Sequence, residues 1–301
     1  MSESSLRIAV VRNPRSGTAL DTAALEQGLR GAGINANILD LPEGPDFDPW
    51  IDRVAGSHDV IAAAGGDGTV SAVAAGVARA NKTLAVIPTG TLNHFARDAG
   101  IPTELDAAVA LLRTGQPRAV DAGFVNDQFF LNNVSLGSYP RMVHERTALE
   151  RAGRSRRVAG VIAVARTWWR LRSVTASISI DGRELFRRSP FVVIANGGYD
   201  LSGFDLSRRE NISDDQLSLY VAPRAGRLVA ASLPFRALLG TLDRYEQFET
   251  LSAKEITIAL RHRRVWAGID GEVRELESPL RFAVKPGALK VLLPPLDPAR
   301  S

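Results

Sequence analysis

Through the first 120 residues, short runs of branched apolar residues alternate with stretches whose apolar positions return every three or four residues. The runs at 6–11, 34–39, 60–64 and 84–87 predict strands, and the stretches at 20–31, 50–55, 70–80 and 105–113 predict helices. Near-continuous apolar strands separated by helices are buried on both faces. This part of the chain is therefore expected to form an α/β domain around a mostly parallel, layered sheet.

Beyond about residue 122 the pattern changes. Asn126-Asp127 and Asp181-Gly182 are turn signals between apolar runs, and further strand-like runs follow at 191–195, 217–221, 255–260, 265–269, 280–284 and 289–293. They predict a mainly antiparallel, β-sandwich-like second domain with helical insertions near 139–172 and 227–239. The expected division is 1–122 and 123–301, with a C-terminal tail able to pack back on the first domain. A length of 301 residues is comfortable for two cores.

Composition changes this picture little. The 45% hydrophobic and 23% charged fractions are those of an ordinary globular protein. Cysteine is absent, which excludes disulfides, thiolate metal sites and cysteine nucleophiles and fits a reducing cytoplasm. No segment approaches the roughly 18 apolar residues of a membrane span, and the start MSESSLRIAV does not read as an export signal. The formal net charge of +4 is mild but unevenly placed, with seven arginines and no acid in RAGRSRRVAGVIAVARTWWRLR, 151–172. Together with Trp168-Trp169, this is the composition of a helix resting on an anionic membrane surface, or equally of an amphipathic helix packed on the β domain. Nucleic acid is not an expected partner, because no binding motif or aromatic platform accompanies the arginines.

Candidate chemistry sits where the first-domain strands end. RNPRSGTA follows the first strand, GGDGTV the third and PTGTLNHFARD the fourth, each rich in small residues whose backbone or hydroxyl groups can approach an oxyanion closely. Successive strands of one parallel sheet deliver such turns to one rim, the usual ligand rim of an open α/β sheet, so a phosphate-bearing ligand is expected. Neither a P-loop nor a dinucleotide-binding glycine motif is present. An acid inside a glycine turn repels bare phosphate, so Asp67 makes chemical sense with Mg2+ or a basic group interposed. That points to a nucleoside triphosphate carrying its metal.

NPRSG, GGDGTV and PTGTLNHFARD, in this order, resemble the nucleotide-binding domain of the diacylglycerol kinase catalytic-domain family, which includes bacterial diacylglycerol and sphingosine-kinase-like lipid kinases. The family shares its GGDGT signature with NAD kinases and, more loosely, with phosphofructokinases. A late Asp270-Gly271-Glu272 in the β-rich half extends the resemblance over nearly the whole chain. It implies an ATP- and Mg2+-dependent kinase that phosphorylates a hydroxyl of a diacylglycerol-like or sphingoid lipid, acting in the cytoplasm with peripheral membrane contact. A homodimer stays open.

By the same resemblance, Asn13, Arg15, Ser16 and Gly17 line the nucleotide phosphates, and Gly65, Gly66, Asp67, Gly68 and Thr69 form the central phosphate loop with Asp67 acting through Mg2+. Thr91 and Asn93 complete the rim. Asp270 is the implied general base and Glu272 faces the nucleotide or metal, although Asp-Gly by itself is also a favoured hairpin turn, as Asp181-Gly182 is read to be. A structural Mg2+ is implied on Asp215 with the carbonyls of Ile212 and Leu217. There the family's Asp-Asp-Gly is replaced by Asp214-Asp215-Gln216, and His94 stands where relatives often carry aspartate. The alternatives are an NAD kinase-like small-molecule kinase and a non-catalytic lipid or nucleotide sensor of the same fold.

Overall fold

The computed structural model describes residues 6–14, 22–42, 44–137, 173–198, 212–221 and 249–295. The helical insertions expected near 139–172 and 227–239 lie outside the described residues, as do Arg15, Ser16 and Gly17. The chain divides into two compact units, Met1–Ala122 with Lys285–Ser301, and Gly123–Val284.

In the first unit the order is β1 (Ile8–Arg12), α1 (Thr22–Gly31), β2 (Ala36–Asp40), α2 (Phe47–Ser57), β3 (Val60–Gly65), α3 (Asp67–Arg79), β4 (Thr83–Pro88), α4 (His94–Asp98) and α5 (Leu105–Thr114). β2, β1, β3 and β4 are neighbours in that order and all parallel. All six residues of β3 are buried, which explains why its sequence is apolar throughout instead of alternating. One face of the sheet packs Val10, Val60, Ala62 and Ile87 against Leu25 and Leu29 of α1 and Val109 and Leu112 of α5. α2 and α3 pack on each other so closely that a Cβ on Gly76 would stand 2.7 Å from the Ile51 side chain.

β5 (Gln116–Val125) leads into the second unit, where β6 (Gln128–Phe130), β7 (Asn133–Gly137), β8 (Val174–Ile180), β9 (Arg183–Ser189), β10 (Phe191–Asn196), β11 (Leu217–Val221), β12 (Glu249–Ala253), β13 (Glu255–Leu260), β14 (Arg264–Ile269), β15 (Glu272–Glu277) and the start of β16 (Leu280–Leu293) follow, β16 belonging to the first unit from Lys285 on. β12, β11, β10, β7, β14 and β15 form an antiparallel sheet in that order. The opposing layer pairs β16 with β13, β13 with β8 and β8 with β9, again antiparallel. Ile178, Ile256, Ile258 and Phe282 of one layer and Val134, Ile194, Leu219 and Ile269 of the other share one core. That is a β-sandwich.

Of the boundaries that differ from expectation, two do so for clear reasons. The runs at 280–284 and 289–293 belong to one 14-residue strand, β16, despite the turn signal Pro286-Gly287. Gly287 takes up φ +62°, and its N–H donates to Asp121 Oδ1 at 2.9 Å, so a side chain replaces a ladder partner there. The second difference is α3, expected from Val70, which starts at Asp67 and so makes half of the glycine turn helical.

Candidate active site

The parallel strands end level with one another. Arg12 is in register with Asp40 on one side and Ala64 on the other, and Ala64 with Ile87, so the turns that follow share the carboxyl rim. The strand order reverses at β1, whose neighbours are β2 and β3. The crevice outside β1 and β3 is thus the topological switch point where open α/β sheets bind ligands.

Asn13 leaves β1 at this point, and its Nδ2 donates to Thr69 Oγ1 at 3.0 Å. The first and second turns are therefore joined across the switch point. Gly66 is the N-cap of α3 and supplies no side-chain cap, so the N–H groups of Asp67, Gly68 and Thr69 have no intrahelical acceptor. These donors and the positive end of a 13-residue helix form a natural place for a phosphate oxygen.

The glycines let two turns touch. A Cβ on Gly90 would lie 2.5 Å from the Gly66 Cα, and one on Gly65 would lie 2.5 Å from the Thr69 Cβ. Asn93, at φ 51° and buried, uses both ends of its amide on Gly90: Oδ1 accepts the Gly90 N–H and Nδ2 donates to the Gly90 carbonyl, each at 2.9 Å. Asn93 thus shapes the third turn, while Thr91 is exposed on it. Half-buried Asp67 accepts the Phe95 N–H on Oδ1 at 3.3 Å, tying the second turn to α4. Beside it, His94 Nδ1 is buried with no hydrogen-bond partner among the described residues.

Sequence reasoning passed over Arg12, which ends β1. Its Nε and Nη2 meet Asp40 Oδ1 at 2.8 and 2.7 Å, and Nη1 bonds the Thr22 hydroxyl. The available signal was a cation and an anion, each at the last position of a neighbouring apolar run.

In the second unit Asp270 and Gly271, at φ 47° and 88°, form the two-residue turn between β14 and β15, with Ile269 opposite Glu272. Its half-buried carboxylate does more than close the turn. Oδ2 accepts the N–H of Leu131 at 2.7 Å, and Oδ1 accepts those of Asn132 at 2.8 Å and Asn133 at 3.0 Å. The same segment is held from β10, where Asn196 donates to the carbonyls of Leu131 (Nδ2, 3.1 Å) and Asn132 (backbone N–H, 2.9 Å). Asn132, Asn133 and Asn196 went unremarked in the sequence, although polar LNN between apolar runs was a visible signal. Asp181-Gly182 has the same turn geometry, but the Asp181 carboxylate is exposed and takes no hydrogen bond from the described residues.

The remaining expected residues are placed more loosely. Glu272 is exposed, with Oε2 3.3 Å from Arg274 Nη2. Asp215 is exposed at φ 57° with Lys254 Nζ 3.8 Å from Oδ2, Leu217 is buried in β11 and Ile212 is half-buried. Asp214 binds the local backbone, accepting the N–H groups of Gly198 and Gln216.

Residues 7–125 match the diacylglycerol kinase catalytic domain, and residues 140–293 match the YegS C-terminal NAD kinase beta sandwich-like domain. A Stenotrophomonas maltophilia (strain K279a) protein named "Probable lipid kinase YegS-like" is 30% identical over 280 residues, covering 88% of this chain and 89% of that protein. The chain belongs to the diacylglycerol kinase catalytic-domain family. A Pseudomonas putida (KT2440) family member with the same name is 31% identical over 83% of this chain and 82% of its own. This chain is accordingly a kinase. In fold it is similar to a diacylglycerol kinase of Bacillus anthracis str. Sterne, with a TM-score of 0.69 at 22% identity over 98% of both chains.

Proposed function

We propose that this kinase transfers the γ-phosphate of ATP to a hydroxyl of a diacylglycerol-like or sphingoid lipid, working from the cytoplasm at a membrane surface. The observation that carries the reading is the triple backbone grip on Asp270, within a family whose relatives are named lipid kinases. A hairpin turn needs no such grip, as Asp181 illustrates; a carboxylate that must meet a hydroxyl in one orientation does.

The first unit holds the nucleotide. The N–H groups at the start of α3, which have no intrahelical acceptor, take phosphate oxygens, and the Asn13–Thr69 bond keeps the turn that delivers them in place. Among the described residues no three His, Cys, Asp or Glu side chains converge as a metal site of their own. Mg2+ is usually held by one or two carboxylates, with substrate phosphates and water completing the shell. Asp67 fits this part: its Oδ1 is engaged by Phe95, and its Oδ2 has no partner among the described residues. When bound, the metal would offset charge on the transferring phosphoryl group.

Asp270 accepts the proton of the acceptor hydroxyl. The acceptor oxygen forms a bond to the γ-phosphorus, the bond from that phosphorus to the bridging oxygen breaks, and ADP leaves. General-base assistance of this kind is typically worth about 10²–10⁴ in rate.

The test is incubation with γ-labelled ATP and a panel of membrane lipids, with NAD included, followed by chromatography. Label in a lipid product is the expected result. Label in NADP instead would establish the NAD kinase-like alternative, and ATP binding without any labelled product would establish a sensor.

A further inference from the structure

The second unit carries a solvent-facing sheet surface that the proposed chemistry does not use. Side chains alternate across β9, β8 and β13, and Ala176, Ile178, Ile256 and Ile258 point into the core. The opposite face therefore presents Phe186, Ser177 and Ala259 as one cross-strand row, since Ser177 is in register with both of the others. In the next row Arg188 is opposite Thr175, and Arg261 follows Leu260, the partner of Ala176. Phe186 is 70% exposed, the most exposed large apolar side chain among the described residues, and Arg188 and Arg261 are exposed beside it.

Two features separate this face from an ordinary solvated one. A phenyl ring stands on a strand, β9, whose only described partner is β8, and its neighbours Ser177, Thr175 and Ala259 are too small to shield it. Arg188 and Arg261 have no ion-pair partner among the described residues, whereas Arg187 on the other side of the same strand is engaged by Glu249 at 2.6 Å and Arg263 by Glu277 at 3.5 Å. Glu184 lies two residues from Phe186 on the side away from the arginines, so positive charge gathers toward one end of the sheet.

We propose that this face is a docking surface for an anionic bilayer, with Phe186 entering the headgroup region and Arg188 and Arg261 facing lipid phosphates. An exposed aromatic ring flanked by exposed cations combines the two attractions that hold peripheral proteins at anionic membranes. The inference deepens the lipid-kinase reading by naming the surface through which the enzyme meets its substrate's membrane.

The full chain is sedimented with phosphatidylcholine vesicles and with vesicles containing phosphatidylglycerol. The wild type pellets with the anionic vesicles and is released by salt. Phe186→Ser combined with Arg188→Glu and Arg261→Glu, and separately Ser177→Glu within the same row, lowers the vesicle partition coefficient by about tenfold or more. Both variants keep the wild-type melting temperature and the wild-type turnover of a short-chain acceptor dispersed without vesicles. Undiminished vesicle binding by folded variants overturns the proposal, as does a wild type that ignores anionic vesicles. A change in oligomeric state with unchanged vesicle binding also overturns it and assigns the face to a second copy of the chain. Loss of vesicle binding in the variants, with no lipid phosphorylated by the wild type, leaves the surface standing and removes the lipid-kinase reading instead.

Discussion

Asp270 Oδ2 accepts the main-chain N–H of Leu131 at 2.7 Å, from a residue 139 positions away in sequence. With Asn132 and Asn133 bonded to the other oxygen, three of the roughly four lone-pair sites of this carboxylate are filled by backbone. Asp270→Asn keeps a residue tolerant of the left-handed turn but sets an amide N–H₂ against N–H donors. Expected outcomes are a fall in turnover of about 10²–10⁴, from loss of the base, and a loss of about 1–3 kcal/mol in unfolding free energy, from the mismatched, partly buried bonds. ATP affinity stays close to wild type. Asp181→Asn, in the matching turn, changes stability by less than about 0.5 kcal/mol. Steady-state kinetics, urea unfolding and calorimetric ATP titration check all of this, and wild-type turnover in Asp270→Asn would reject the base assignment.

Asp67→Asn separates two roles of one side chain. Asparagine retains an oxygen for the Phe95 N–H, so the fold of the turn and the melting temperature are preserved. What disappears is negative charge next to the metal, and ATP binding in the presence of Mg2+ weakens by about tenfold while binding without Mg2+ does not. Equal losses with and without the metal would mean that Asp67 acts only as a tie between turns.

Gly90→Ala tests the close approach of the second and third turns. The new methyl would sit 2.5 Å from the Gly66 Cα and 2.8 Å from Asn93 Oδ1, and a backbone neighbour cannot swing aside. The expected cost is about 1–3 kcal/mol of stability together with weakened ATP binding. Gly56→Ala has the opposite sign, because it lies within α2 with nothing inside 4 Å of its Cβ, and stability rises by about 0.5–1 kcal/mol. Thermal melts of both variants with and without ATP decide this.

Arg7 and Asp59 give a pH signature away from the site. The Arg7 guanidinium and then its backbone N–H, both bonded to Asp59, hold that carboxyl down from 3.8 to about 2. Because the folded value lies below the unfolded one, the contribution to stability is present above the unfolded value and is lost as pH falls through the folded one. The difference in urea midpoint between wild type and Asp59→Asn is therefore constant near neutrality and disappears between about pH 4 and pH 2. The pair is solvent-exposed, so added salt diminishes the difference.

Legibility of the sequence followed the range of the interactions involved. β3 and β4 are continuous apolar runs between punctuating residues, and both were readable to within a residue or two. The start of α3 was not, because glycine and aspartate look like loop until the strand before them is fixed and the helix has a sheet to pack on. α4 was missed since five residues show too little periodicity, and β12 since ETLSA has only one strongly apolar position. Asp270 was singled out through its motif. Its hold on 131–133 joins segments nearly half a chain apart, and no local pattern encodes that.

The glycine turns, the absence of cysteine, the α/β and β-rich halves and the family itself were determined by the sequence alone, because backbone permissiveness and apolar periodicity are local properties of the chain. Tertiary structure decided which of two chemically identical Asp-Gly turns has its carboxylate gripped by backbone, and that Asn93 spends its amide on Gly90. It also decided that Arg12 meets Asp40 at the rim and that Phe186 stands exposed beside two arginines with no ion-pair partner among the described residues. Each of these depends on strand order and register, which bring distant residues within hydrogen-bonding reach and leave others facing solvent.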